Sequence, residues 1–99
     1  MHDGSIAQGD AFLQSFVPEI TGSAAFRAGG VLFITFDEGT SNVGGGGHIA
    51  TIAVTAHMTP GSTAAGAYNH YSLLRTLEEA WGLRYLGNAA SATAIDLPY

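Results

Sequence analysis

The sequence predicts an α/β fold in which two buried strands are flanked by helices, and three observations carry that prediction. Val31-Leu32-Phe33-Ile34-Thr35-Phe36 is a nearly unbroken apolar, β-branched and aromatic run, the pattern of a strand covered on both faces. His48-Ile49-Ala50-Thr51-Ile52-Ala53-Val54-Thr55 reads as a second strand of the same kind. Tyr71, Leu74, Leu77, Ala80 and Trp81, with Leu73, mark one apolar face of a helix. A chain of 99 residues, 46% hydrophobic and only 11% charged, holds one packed domain at most, spanning 1–99.

The elements follow in order. Residues 1–9 read as loop. Asp10 is placed to cap a helix, and Phe12, Leu13, Phe16, Val17 and Ile20 give it one apolar face. Pro18 lacks an N–H and clashes with the carbonyl four residues back, so the helix is expected to end, kink or restart there. Gly22-Ser23 closes it, with a short turn over Ser23–Phe26. Gly29-Gly30 then releases the chain into the first strand, which stops at Asp37-Glu38. Residues 39–47 form a flexible loop on composition, and residues 56–68 another. Asn69 is an N-cap for the last helix, and Gly82 ends it. The tail, with Leu83, Tyr85, Leu86, Ile95, Leu97 and Tyr99 among small residues, packs as irregular chain. Two covered strands would each expose an edge, so the pattern is that of the tail of a larger α/β domain.

Composition removes several functions. All three cations are arginines (Arg27, Arg75 and Arg84) and the formal charge is −5, so the basic footprint of a nucleic-acid binder is missing. The absence of cysteine excludes a disulfide scaffold and thiolate zinc sites. No apolar stretch approaches the ~20 residues of a membrane span, and no signal peptide is expected within this chain.

Asp37-Glu38 is the leading candidate for chemistry. Ligands of open α/β sheets bind beyond the carboxyl ends of strands, and two adjacent carboxylates there repel unless a cation or donors stabilise them. A divalent metal is the economical partner; Mg²⁺, Mn²⁺, Ca²⁺ and Zn²⁺ all fit the carboxylate and imidazole donors. The same two residues also fit a turn cap and a solvated carboxylate. His2, beside Asp3, can meet a phosphate or a leaving group, or stand solvated at the terminus. His48 begins the second strand, close to Asp37 if the strands are parallel neighbours, and is a candidate supporting group. His57 and His70 read as structural. The Gly44–Gly47 run lacks the Lys-Ser/Thr ending of a phosphate loop and leads into a strand, so it reads as loop. Glu78-Glu79 reads as a solvated helix face, with Leu73, Leu74, Leu77 and Trp81 as core.

The stretches Met1-His2-Asp3-Gly4, Gly9-Asp10-Ala11-Phe12-Leu13, Val31 to Glu38, His48 to Thr55 and Tyr68 to Leu83 occur in an order that resembles the C-terminal part of a phosphoesterase family. That family includes bacterial phosphatidylcholine-type phospholipases C and acid phosphatases. The resemblance implies a metal-dependent phosphoester hydrolase with an alkaline-phosphatase-like sandwich. It assigns the catalytic metal to Asp37 and Glu38 and a catalytic, phosphate-site role to His2, the histidine of an Asp-Met-His segment. Asp3 and His48 then stand in supporting positions. The Asp of that segment, a Glu-Asn metal-ligand pair and a hydroxyl nucleophile would lie upstream of Met1, so the 99 residues are expected to be inactive alone. Phospholipid or phosphomonoester substrates and a secreted or periplasmic location follow for the intact enzyme. The alternative is a small non-catalytic acidic α/β module that binds a divalent cation or a partner chain.

Overall fold

A computed structural model describes residues 3–97. The chain divides into two compact units, Met1–Met58 and Thr59–Tyr99.

The first unit opens with helix α1, Ile6–Thr21. Ser5, not Asp10, caps it. The Ser5 hydroxyl accepts from the Gln8 N–H at 3.2 Å and the Gln8 side chain accepts from the Ser5 N–H at 2.7 Å. This reciprocal pair satisfies two donors that a helix start otherwise leaves orphaned, so residues expected to be loop are helical from Ile6. Pro18 neither ends nor restarts α1, which continues through it to Thr21 at the loss of one ladder bond. Gly22 closes the helix by donating to the Pro18 carbonyl at 2.9 Å. Ser23 then caps a single further turn, α2, over Ala24–Arg27.

Strands β1 (Val31–Thr35) and β2 (Thr51–Thr55) form a two-stranded antiparallel sheet. Val31 faces Thr55 and Thr35 faces Thr51, whose hydroxyls lie 2.8 Å apart. The fold is thus α/β, but the strands are not buried. Every β1 residue is half-buried except Thr35, which is exposed, and Thr51 and Ile52 of β2 are exposed. The physical reason is the topology: among the described residues β1 and β2 pair only with each other, and α1 leaves an open groove along β1. The second strand is also shorter than its apolar run, because His48–Ala50 remain unpaired.

The second unit is built on α3, His70–Ala80. The Asn69 carboxamide accepts from the Ser72 N–H at 3.1 Å, while the Ser72 hydroxyl accepts from the Asn69 N–H. At the other end Leu83 donates to the Glu78 carbonyl at 2.8 Å and Gly82 to that of Glu79 at 3.2 Å. This paired closure needs a left-handed residue, and Gly82 has φ +61°. A short 3₁₀ turn, Gly87–Ser91, lies against α3 and contributes the fully buried Ala89. Arg75 donates to the Ala89 and Ala90 carbonyls at 3.3 and 2.8 Å, pairs with Glu79 at 2.8 Å and covers the Tyr85 ring. Thr76 accepts from the Ile95 N–H at 2.8 Å and Tyr68 from that of Asp96 at 3.2 Å, so side chains tie down the tail.

The expected apolar face of α3 is only partly covered, since Tyr71 and Ala80 at its two ends are exposed, and two further expectations fail. Trp81 is 70% exposed, because it is the C-cap, where the chain has left helical geometry. Glu78 is 3% exposed rather than solvated. It lies one turn after the half-buried Leu74 and Arg75, on the side of α3 that the returning chain covers through the Leu86 N–H. Leu73, Leu74 and Leu77 are half-buried.

Candidate functional site

The carboxylate pair lies where β1 runs out. The strand is held to β2 as far as Thr35, and Phe36 then carries the chain to Asp37 and Glu38, both exposed. The backbone is set locally: the Glu38 N–H donates to Asp37 Oδ1 at 3.0 Å, a contact that fixes one carboxylate against the peptide of the other. One residue on, the Gly39 N–H donates to the Gly46 carbonyl at 2.6 Å. That bond closes residues 39–46 into a loop seated on the end of the sheet.

The glycine run makes this closure possible. Gly44, Gly45, Gly46 and Gly47 have φ of +68°, +89°, +156° and +77°. Four successive positive values are open only to glycine at tolerable strain. A 3₁₀ turn, Val43–Gly45, sits inside the loop, and Gly47 donates to the Val43 carbonyl at 2.8 Å. Gly39 is needed for a different reason. A Cβ there would lie 2.5 Å from the His48 carbonyl oxygen, so a side chain cannot fit between the two backbones.

The antiparallel register decides where His48 falls. In a parallel pair the start of β2 would sit at the opposite end of the sheet from the end of β1. Here Thr35 pairs with Thr51, so Asp37 and His48 lie beyond the same end. The parallel pairing under which the sequence places His48 near Asp37 is not the one formed; the antiparallel register sets both residues beyond one end of the sheet. The backbones of Gly39 and His48 touch, and the His48 side chain is exposed. Even so, among the described residues no three His, Asp or Glu side chains gather as a metal-binding group. Asp3 is exposed, ahead of the Ser5 cap, and His2 lies outside the described residues. His57 is exposed after β2; its N–H donates to the Thr55 hydroxyl at 3.1 Å. His70 is exposed in the first turn of α3.

A buried carboxylate escaped the sequence reading. Glu78 Oε1 accepts from the Leu86 N–H at 2.9 Å, while Oε2 is buried with no hydrogen-bond partner. The sequence signal is its spacing of four from Leu74, which puts Glu78 on the leucine side of α3. Its role is to hold the chain that returns after α3.

Chemically, the end of β1 offers two adjacent carboxylates on a backbone fixed by a closed loop. Oxygen donors of that kind are the type that suits a hard divalent cation.

Comparison with known proteins gives two findings. A model of the Phosphoesterase family matches residues 1–84. Over 97 residues the chain is 39% identical to a phosphatidylinositol-3-phosphatase of Mycobacterium tuberculosis, a match that covers 96% of this chain and 30% of that protein. The chain thus spans less than a third of the length of that relative. No solved structure matches. Among the described residues no helix is long and apolar enough to cross a membrane.

Proposed function

The chain belongs to the Phosphoesterase family, whose chemistry is hydrolysis of phosphoester bonds, and from that membership we propose that its 99 residues supply the Asp37-Glu38 metal-binding corner of a metal-dependent phosphoester hydrolase. The observation that carries the reading is the placement of two carboxylates directly beyond β1, on a backbone pinned by the Gly39–Gly46 bond. Asp37 and Glu38 are the residues that would hold the cation. A divalent ion bound there would withdraw charge from a phosphoryl oxygen.

The chain's own groups have distinct tasks in this reading. The Gly39–Gly47 loop orients the carboxylates. His2 binds phosphate or the departing oxygen, and Asp3 and His48 support the site from its margins. The remaining cation ligands and the nucleophilic hydroxyl come from outside these residues, so the chain alone binds a cation without turning over substrate. A phosphomonoester on a lipid headgroup is the favoured substrate class, because the mycobacterial relative is a phosphatidylinositol-3-phosphatase; a phospholipase C or acid phosphatase specificity is the wider range. A secreted or periplasmic site of action accompanies the proposal.

Titration of the purified chain with Mn²⁺, followed by electron paramagnetic resonance, tests it. Binding should weaken by more than about 10-fold in Asp37→Asn with Glu38→Gln. Equal binding by the double variant would refute the assignment of the carboxylates.

A further inference from the structure

The two carboxylates stand on the short segment 36–38, and both ends of that segment are tied to the chain that returns as β2. One tie is the Gly39–Gly46 bond. The other is the last pair of the sheet, Thr35 opposite Thr51, where Thr35 Oγ1 and Thr51 Oγ1 lie 2.8 Å apart. Directly opposed side chains of an antiparallel pair share one face, so the hydroxyls meet across the strands. The neighbouring pairs are apolar: Ile34 faces Ile52 and Phe33 faces Ala53. Strand propensity does not call for a hydroxyl at the last pair, since valine fits a strand at least as well. What threonine adds over valine is the cross-strand hydrogen bond. It is added where the ladder is weakest, because Thr35 and Thr51 are exposed, the sheet has two strands, and residues 48–50 run on unpaired.

We propose that Thr51, through its hydrogen bond to Thr35, is a positioning residue for the Asp37-Glu38 corner: the hydroxyl pair fixes the point at which the chain leaves β1 and so holds both carboxylates on a set backbone. The proposal rests on the functional reading above. Neither hydroxyl is a cation ligand; both act through the backbone of residues 36–38. When the last pair frays, that segment turns about its remaining tie at Gly39, and the carboxylates lose their common orientation. A cation that binds only the closed form loses affinity in proportion to the fraction of chains that have frayed.

The test pairs Mn²⁺ titration of the purified chain with hydrogen exchange at the Glu38 and Gly39 amides, which donate to Asp37 Oδ1 and to the Gly46 carbonyl. Thr51→Val keeps the side-chain shape and removes the bond; it should weaken Mn²⁺ binding by about 2- to 5-fold and speed exchange at both amides by a similar factor. Thr51→Ser keeps the hydroxyl and should bind as the unsubstituted chain does. A merely structural role would rank the variants the other way, since serine is the poorer strand former. Thr35→Val combined with Thr51→Val should lose no more than either change alone, because each removes the same bond. Unchanged binding and exchange in Thr51→Val, no rescue by serine, or additive losses in the double variant would each overturn the proposal. If Asp37→Asn with Glu38→Gln binds Mn²⁺ as well as the unsubstituted chain, the carboxylate reading fails by itself, and amide exchange in Thr51→Val still decides the positioning.

Discussion

Gly39→Ala is the sharpest structural perturbation of the candidate site. A Cβ at position 39 would stand 2.5 Å from the His48 carbonyl oxygen and 3.2 Å from that of Gly46, both backbone atoms. Reaching ordinary contact at 3.4 Å requires the chains to separate by about 0.9 Å. The Gly46 carbonyl, which accepts the 2.6 Å bond from Gly39, itself needs to give only about 0.2 Å, so that bond is strained through the larger displacement of His48. Losing that bond costs about 1 kcal/mol, and strain from forcing backbones apart adds about 1–3 kcal/mol. The variant should melt roughly 8–32 °C lower if its first unit unfolds cooperatively. Its residue 39 amide should exchange freely, and Mn²⁺ binding should weaken as the carboxylates lose their fixed base. Unchanged melting together with a protected amide at residue 39 would show that the loop does not depend on this approach.

Other substitutions test the rest of the structure. Glu78→Ala leaves the part-buried Leu86 N–H without its acceptor and should destabilise the second unit by about 1 kcal/mol, read by chemical denaturation; Glu78→Gln keeps an acceptor oxygen and should lose less. Equal losses in the two variants would refute the hydrogen-bonding role. Gly82→Ala places a Cβ at φ +61° and should cost about 1–2 kcal/mol, visible as fraying of the last turn of α3 by amide exchange.

The sequence shows some of this more clearly than the rest. Local chemistry is legible: Asn69 caps α3, a short turn follows Gly22-Ser23, Gly82 ends α3, and β1 begins at Val31. The Ser5–Gln8 capping pair is equally local, but Asp10 stands nearer the apolar run and has the same capping chemistry, so the sequence alone does not separate the two. Strand direction is another matter. Both apolar runs fit parallel or antiparallel pairing, since alternation records burial and not the partner's sense. The exposure of β1 and β2 is likewise invisible, because their composition reflects the covering a strand is suited to, whether or not these residues provide it. At the site, the adjacency of Asp37 and Glu38 is covalent and therefore certain, whereas the approach of His48 depends on the register and on Gly39. Glu78 was misread because a charged residue on an apolar stripe was given its usual solvated fate.

The central claim is that Asp37 and Glu38 belong to a phosphoester-hydrolysing centre. Its most direct test replaces the matched stretch of the mycobacterial phosphatase with this chain and measures phosphate released from phosphatidylinositol 3-phosphate. The account predicts a hydrolytic chimera whose turnover falls by about 100-fold or more in Asp37→Asn, with folding unchanged by circular dichroism. A chimera that releases phosphate equally well with Asp37 and Glu38 both replaced would contradict it.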